Sequence, residues 1–123
     1  MIDGGLMAGG ISVHAVDVSR GRPAQGMQVD IYDLEGVRKM IASGKLAASG
    51  ALDHPILQGE GVKAGPYQVI FHVGDYLRAT GAPTSTPPFL DLVPFRFTVA
   101  DAAQHYHLPF KFTPWGFSLF RGS

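Results

Sequence analysis

Residues 104–123 read QHYHLPFKFTPWGFSLFRGS, and they decide the fold because they predict two short strands joined by a turn at Thr113-Pro114. Side chains point alternately to the two faces of a strand. The first strand therefore presents His105, His107 and Lys111 on a polar face. Its other face is apolar and carries Tyr106, Leu108, Phe110 and Phe112. The second strand can likewise bury a face made of Trp115, Phe117 and Leu119. We expect this segment to be tied into a sheet with two imidazoles on its polar surface.

The same alternation of apolar and polar residues recurs along the rest of the chain and predicts further strands. It favours strands at about 11–17, 27–33, 37–47, 67–73 and 93–99, a minimal strand at Ile56-Leu57 and one short helix at 74–81. Glycine and proline mark the turns between these segments. Seven or eight short strands without a long stretch of helical period predict an all-β antiparallel sandwich or barrel.

Length and charge limit the classes of partner. The 123 residues suit one domain, which we place at residues 10–123 behind a flexible lead-in at residues 1–9. Ten basic and ten acidic residues give no net charge, which argues against nucleic acid or an anionic membrane and favours a small molecule or a protein as partner. Because cysteine is absent, a disulfide framework and a thiolate nucleophile are excluded.

The sequence also bears on the compartment. No apolar run approaches the ~20 residues of a transmembrane helix. The first ten residues lack the basic start and the continuous apolar stretch of a signal peptide. We therefore expect a cytoplasmic protein.

Three histidines, His14, His105 and His107, fall on polar faces of the predicted strands. The spacing of two residues directs the imidazoles of His105 and His107 to the same side. With an unperturbed pKa of about 6.5, such groups suit acid–base chemistry at neutral pH. Spacing alone fits hydrogen-bonded structural histidines equally well, so both interpretations stay open. A metal would require a third ligand, and no carboxylate lies at a recognisable ligand spacing, so no metal site is predicted.

Other potential catalytic groups lack a supporting pattern. His54 and His72 have no partner at a useful spacing, and we interpret both as structural. The serines at 12, 118 and 123 lie outside any Gly-x-Ser-x-Gly motif, which argues against a serine nucleophile. No glycine-rich phosphate-binding loop occurs either.

Four segments closely resemble the 5-hydroxyisourate hydrolases, the transthyretin-like enzymes of urate breakdown. They are HAVD at 14–17, RGRPA at 20–24, FHVGDY at 71–76 and the stretch from His105 to Ser123. The resemblance implies a transthyretin-like sandwich of two four-stranded sheets with one short helix. It also implies a homotetramer whose active sites lie in a channel at the dimer–dimer interface. In that family, water opens the ring of 5-hydroxyisourate without a metal or an organic cofactor.

The resemblance carries two catalytic residues onto this sequence. His14 matches the catalytic histidine of the family's first strand, and His107 matches the histidine of its His-Tyr-His-x-Pro segment. Further positions are implied to contact the substrate. They are Ala51, His105, Ser118, Phe120, Arg121 and Ser123.

Two of these positions depart from the family pattern. The family has an arginine in an Asp-Gly-Arg loop, and the equivalent loop here reads Ser49-Gly50-Ala51. The family's terminal Tyr-Arg-Gly-Ser begins with Phe120 here, without the phenolic hydroxyl. An arginine fork supplies bidentate recognition that alanine cannot replace. The pocket is therefore less polar, and Lys45 or His54, which flank the loop in sequence, are candidate replacement cations.

The two retained histidines predict an enzyme that performs acid–base chemistry on a small, cyclic, carbonyl-containing molecule. One form of this hypothesis is the hydrolysis of 5-hydroxyisourate in purine metabolism. Another is a repurposed enzyme that catalyses a hydration, a cyclisation or an isomerisation of a more apolar ring. The opposing hypothesis is a non-enzymatic small-molecule binder, as transthyretin is. Retention of both histidines favours an enzyme.

Overall fold

Eight strands form two four-stranded sheets that pack face to face in this computed structural model, which describes residues 9–122. The strands are β1 (Ile11–Asp17), β2 (Arg22–Pro23), β3 (Gln28–Asp33), β4 (Lys39–Lys45), β5 (Gly65–His72), β6 (Leu92–Val99), β7 (Tyr106–Thr113) and β8 (Gly116–Leu119). A 3-10 helix spans Pro55–Gln58 and one α-helix, α1, spans Val73–Thr80. Most of the predicted lead-in, residues 1–8, and the predicted site residue Ser123 lie outside the described residues.

The first sheet has the strand order β2-β1-β7-β8, and the second has the order β4-β3-β5-β6. Every pair in these sheets is antiparallel except β1 with β7, which run parallel over seven residue pairs. A parallel pair needs a long connection, and here the connection contains the whole second sheet. The predicted sandwich of two four-stranded sheets with one short helix is confirmed. Its one parallel pair brings the strands of His14 and His107 side by side.

The inner faces of the two sheets form one core, as the alternation of apolar residues predicts. Phe71 of β5 stacks on Phe110 of β7 with ring centroids 4.2 Å apart, which joins the two sheets directly. The helix adds Tyr76, whose ring meets the edge of Phe112 and whose hydroxyl donates to the buried Asp17 carboxylate at 2.9 Å. Burial of such aromatic side chains dominates the stability of a core of this size. Because the apolar sides of β1 and β7 pack in this core, the polar sides of the two strands face outward.

Two predictions about local structure are wrong. Ile56-Leu57 belongs to the 3-10 helix rather than to a strand, because Pro55 starts a turn and His54 Nδ1 accepts a hydrogen bond from the Ile56 N–H at 3.0 Å. The last strand also buries less than expected. Leu119 packs against the core, whereas Trp115 and Phe117 are 59% and 50% exposed, although the Phe117 ring lies 5.7 Å from that of Phe110. Phe117 lies on an edge strand, which has a neighbour on one side only, and Trp115 lies in the turn before that strand.

The helices of the structure are short. Helix α1 has eight residues and begins directly after His72. Gly81 caps its C-terminal end and donates its N–H to the carbonyl groups of Leu77 and Arg78. It lies where the sequence predicts a helix. Across residues 9–122, no helix combines the length and the apolar character needed to cross a membrane.

Candidate active site

The outward side of the first sheet carries the predicted histidines, and we call this surface the active face. Paired residues of neighbouring strands project to the same side of a sheet. The registers of β1, β7 and β8 therefore arrange the active face in three rows. These rows are Ser12–His107–Gly122, His14–Pro109 and Val16–Lys111–Ser118. His14 and His107 thus lie in adjacent rows, on neighbouring strands.

A hydrogen-bonded chain crosses the first row and runs from the backbone of Gly9 to His107. His105 Nδ1 lies 2.8 Å from the Gly9 carbonyl oxygen, and His105 Nε2 lies 2.8 Å from Ser12 Oγ. On the other side of the same hydroxyl, His107 Nδ1 lies 2.7 Å from Ser12 Oγ. Ser12 lies on β1, His107 on β7 and His105 directly before β7, and the hydrogen bonds join the three side chains.

The partners in this chain assign the protons. A carbonyl oxygen can only accept, so His105 Nδ1 donates to Gly9, and in the neutral ring His105 Nε2 must then accept from the Ser12 hydroxyl. Ser12 Oγ is left to accept from His107 Nδ1–H. The remaining nitrogen of His107, Nε2, consequently carries a lone pair. This is the tautomer that a general base requires.

His107 is also kept neutral by its surroundings. Partial burial lowers the pKa of His107 below its usual value because it penalises the charged imidazolium, and the nearby His14 and His105 lower the pKa further. A lowered pKa means that the ring is unprotonated at neutral pH. The base form assigned from the hydrogen bonds is therefore the form that is present.

His14 is anchored by a different element, the loop between β4 and the 3-10 helix. Its Nε2–H donates to the Ser49 carbonyl oxygen at 2.8 Å, so its Nδ1 is the nitrogen free to exchange a proton. The Gly50 carbonyl accepts from the Ala15 N–H at 2.9 Å, and Ala51 forms an isolated bridge with His14. The structure therefore brings Ala51 beside His14.

The other predicted substrate-binding residues take different positions. Ser118 is exposed in the third row, and Phe120 is 47% exposed just beyond β8. Arg121 Nη2 donates to Gln104 Oε1 at 3.3 Å and to the His105 carbonyl at 3.1 Å, while its guanidinium lies 4.0 Å over the Tyr106 ring. Its contacts thus fasten the end of the chain to the start of β7.

The candidate replacement cations make contacts elsewhere. His54 caps the 3-10 helix through Nδ1, as a structural histidine would. Lys45 lines a cavity of about 570 Å³ that His72 also lines, and His72 Nε2 lies 2.7 Å from Asp30 Oδ2 in the second sheet. No contact places Lys45 or His54 beside His14 in the described part of the chain.

Ser12 is the functional residue that sequence reasoning missed. Its sequence context bears only on a nucleophile and argues against one, whereas in the structure its hydroxyl connects His105 with His107. A signal was present, because Ser12 lies two residues before His14 and so shares its strand face. Its partners come from a segment more than 90 residues away, which no local pattern reveals.

The active face of a single chain is open. A cavity of about 500 Å³ lies between α1 and the proline-rich segment that follows it, and the cavity beside Lys45 is of similar size, but neither contains His14 or His107. Among residues 9–122, no three histidine or acidic side chains form a group that could hold a metal ion. The arrangement offers one neutral base, a second imidazole beside it and no enclosing wall from the same chain.

Comparisons with known proteins agree with this architecture. The model of the HIUase/Transthyretin family matches residues 11–122. A relative from Rhizobium meliloti, 5-hydroxyisourate hydrolase 2, is 43% identical over 117 residues, covering 94% of this chain and 98% of that protein. Among solved structures, Klebsiella pneumoniae 5-hydroxyisourate hydrolase gives a TM-score of 0.76 at 27% identity, covering 92% of this chain and 97% of that one. An (S)-allantoin synthase gives a TM-score of 0.87 at 31% identity over 94% of this chain, which spans 44% of that longer protein.

Proposed function

Because this chain belongs to the HIUase/transthyretin family, we propose that it hydrolyses a small cyclic carbonyl compound by acid–base catalysis with His107 and His14. The substrate that its relatives' names indicate, 5-hydroxyisourate, is the best candidate, and the proposed role is in urate breakdown. One observation carries the proposal. The chain of hydrogen bonds from Gly9 through His105 and Ser12 leaves His107 Nε2 with a lone pair on the active face.

His107 is assigned the role of general base. As the oxygen of a water molecule bonds to the substrate carbonyl carbon, one proton of that water passes to His107 Nε2. The positive charge that forms on His107 is shared through Nδ1–H with Ser12 and then with His105. When the carbon–nitrogen bond of the ring breaks, the leaving nitrogen takes a proton, and the base returns to its neutral form.

His14 is assigned the role of acid or orienting partner. Its Nε2–H is committed to the Ser49 carbonyl, which fixes the ring plane and leaves Nδ1 to face a substrate. A proton carried on Nδ1 would reach the leaving nitrogen or the carbonyl oxygen from the row next to His107. A passive binder has no need of two imidazoles in adjacent rows, each fixed by its own hydrogen bonds, which supports an enzyme over a carrier.

A second candidate function rests on Ala51 and Phe120, which make the surroundings of His14 less polar than the resemblance implies. The same histidines could then act on a more apolar ring by hydration, cyclisation or isomerisation. The double variant Ala51→Arg, Phe120→Tyr distinguishes the two candidates. It should raise turnover of 5-hydroxyisourate well above that of the natural chain if the natural substrate is a different, more apolar ring.

The direct test is to mix the protein with freshly generated 5-hydroxyisourate and to follow its absorbance against the spontaneous decay. We expect faster decay, with kcat/KM lowered about 10²- to 10⁴-fold in His107→Asn and in His14→Asn. Ser12→Ala should lower kcat about tenfold, whereas Ser12→Thr keeps the hydroxyl and should retain most activity.

Each variant must be compared at equal folded fraction, measured by circular dichroism. Wild-type decay no faster than the buffer control would overturn the choice of substrate. Full activity in folded His107→Asn would overturn the assignment of the base.

A further inference from the structure

We propose that Lys111 is the cation of the active face that binds an oxygen of the substrate ring, and that it sets the preference of this chain for a small, oxygen-rich cyclic anion. The inference rests on the proposed function, because it assigns a binding role within that same site. Lys111 belongs to no motif, and its position in the register of β1, β7 and β8 is what identifies it.

Lys111 lies in the row next to His14. The parallel register places it opposite Val16, two residues beyond His14 on β1, and two residues beyond Pro109 on β7. Two residues of strand span about 6.6 Å and neighbouring strands lie about 4.8 Å apart, so the Cα atoms of Lys111 and His14 are separated by about 8 Å. A flexible four-carbon stem brings the ammonium group within reach of a molecule bound over both histidines.

The ammonium group of Lys111 faces outward and carries an uncompensated charge. Among residues 9–122, no carboxylate lies within 4.0 Å of Lys111 Nζ, whereas Lys63 and Arg78 are each paired with an aspartate. The one carboxylate of β1, Asp17, points into the core and accepts the Tyr76 hydroxyl. Lys111 is exposed and lies beside the Ser118 hydroxyl, which adds a second polar group to the same row.

The remaining rows supply no comparable charge. His107 is held neutral, Ala51 and Phe120 are apolar, and the guanidinium of Arg121 is engaged with Gln104, the His105 carbonyl and the Tyr106 ring. The rows defined by the strand register contain a single lysine or arginine, Lys111. A substrate oxygen that carries negative charge, or gains it during the reaction, would be attracted to this group.

Many exposed lysines on strands only keep the protein surface soluble. The test must therefore distinguish a loss of substrate binding from a loss of solubility. The variant Lys111→Met keeps an unbranched side chain that is one atom shorter and removes the charge, and Lys111→Arg keeps the charge. Lys39→Met, at the start of β4 in the other sheet, is the matched control. KM and kcat are measured with freshly generated 5-hydroxyisourate, and binding of urate, a stable cyclic anion, is measured by equilibrium dialysis at two salt concentrations.

We expect Lys111→Met to raise KM about 10- to 100-fold with a much smaller change in kcat. The variant should also bind urate more weakly by a similar factor, and most of the salt dependence of urate binding should be lost. Lys111→Arg should restore most of the binding, and Lys39→Met should behave as the natural chain. If the natural chain hydrolyses 5-hydroxyisourate and Lys111→Met has the KM of Lys39→Met, the role of Lys111 is overturned while the proposed function stands.

The proposed substrate can also be wrong while the role of Lys111 is still tested. If the natural chain does not hydrolyse 5-hydroxyisourate, the proposed substrate is wrong, and the urate measurements still decide the role of Lys111. Weaker, less salt-dependent binding in Lys111→Met supports the cation site. Binding equal to that of the natural chain, or no binding of urate by either protein, overturns it.

Discussion

Ser12 illustrates how much of this site depends on single hydrogen-bonding groups. Its hydroxyl donates to His105, whose tautomer the Gly9 carbonyl sets, and accepts from His107, so one oxygen determines the tautomer of His107. An aliphatic side chain at this position would leave the Nδ1–H of His107 without its acceptor, and a buried donor without a partner costs about 1–3 kcal/mol. In the proposed mechanism Ser12 is therefore a positioning residue rather than a nucleophile.

The lowered pKa of His107 leads to a prediction about pH. A general base works only when it is unprotonated, so kcat/KM should be full at neutral pH and should fall as the pH drops through the pKa of His107, below the usual value of about 6.5. Burial is the main cause of the lowered pKa, and the charge of His14 adds to it. In His14→Asn, the pKa of His107 should therefore rise.

This prediction is checked by following the imidazole signals of His107 by nuclear magnetic resonance during a pH titration. The natural chain should titrate at a lower pH than His14→Asn. The variant Lys39→Met, distant from the site, serves as the control and should match the natural chain. A pKa for His107 above the usual value in the natural chain would contradict the assignment of a neutral base.

At the scale of elements, the loop that ends at Ala51 holds His14 in place. Gly50 has φ of 85°, and a Cβ atom at this position would lie 2.7 Å from the Ala15 carbonyl oxygen and 3.3 Å from His14 Nε2. Only glycine combines this backbone conformation with such a close approach to β1. The loop and the strand are therefore fitted to one another at the point where His14 projects.

Gly50→Ala should disturb both stability and activity. Gly36 offers a matched control, because it also has a positive φ, of 68°, but a Cβ atom there would meet nothing within 4 Å. Gly36→Ala should cost about 1 kcal/mol of unfolding free energy from backbone strain alone and should keep full activity. Gly50→Ala should cost about 2–4 kcal/mol and lower kcat, because the added methyl group displaces the loop or His14.

The two variants are compared by chemical denaturation and by the decay of 5-hydroxyisourate. Equal losses of stability in Gly36→Ala and Gly50→Ala, with activity retained in both, would show that the loop does not position His14.

At the scale of the whole molecule, the active face of a single chain is open and does not enclose a bound substrate. A single chain leaves both histidines on an outward surface, and the aromatic side chain of Phe120 is exposed as well. Closed symmetric assemblies are the usual means of covering such a surface. We predict a homotetramer in which another subunit encloses the active face, as the resemblance to the family implies.

Light scattering coupled to gel filtration measures the assembly directly, and it should give about four times the 13.1 kDa of one chain. In the predicted tetramer another subunit completes the site, so activity per chain should also fall on dilution as the assembly dissociates. A scattering mass of one chain together with full activity would rule out this arrangement.

Much of the fold could be predicted from local patterns. The alternation in β1, β5 and β7 identifies both the strands and their buried faces, because a period of two residues leaves a direct trace in the sequence. The minimal strand at Ile56-Leu57 was wrong because Pro55 and the His54 side chain favour a 3-10 turn there. The burial expected for Trp115 and Phe117 was wrong because a residue pattern does not reveal that a strand lies at the edge of its sheet.

The sequence by itself determined that His14 and His107 lie on polar strand faces, since alternation and the family resemblance are both local properties of the chain. It could not determine that β1 and β7 are parallel neighbours, because their pairing joins segments about 95 residues apart. Only the tertiary structure decided that Ser12 connects His105 with His107, that Lys111 shares the face of His14, and that Lys45 and His54 make their contacts elsewhere. The physical reason is that hydrogen bonds and electrostatic attraction act over a few ångströms of space, and the register of distant strands sets those distances.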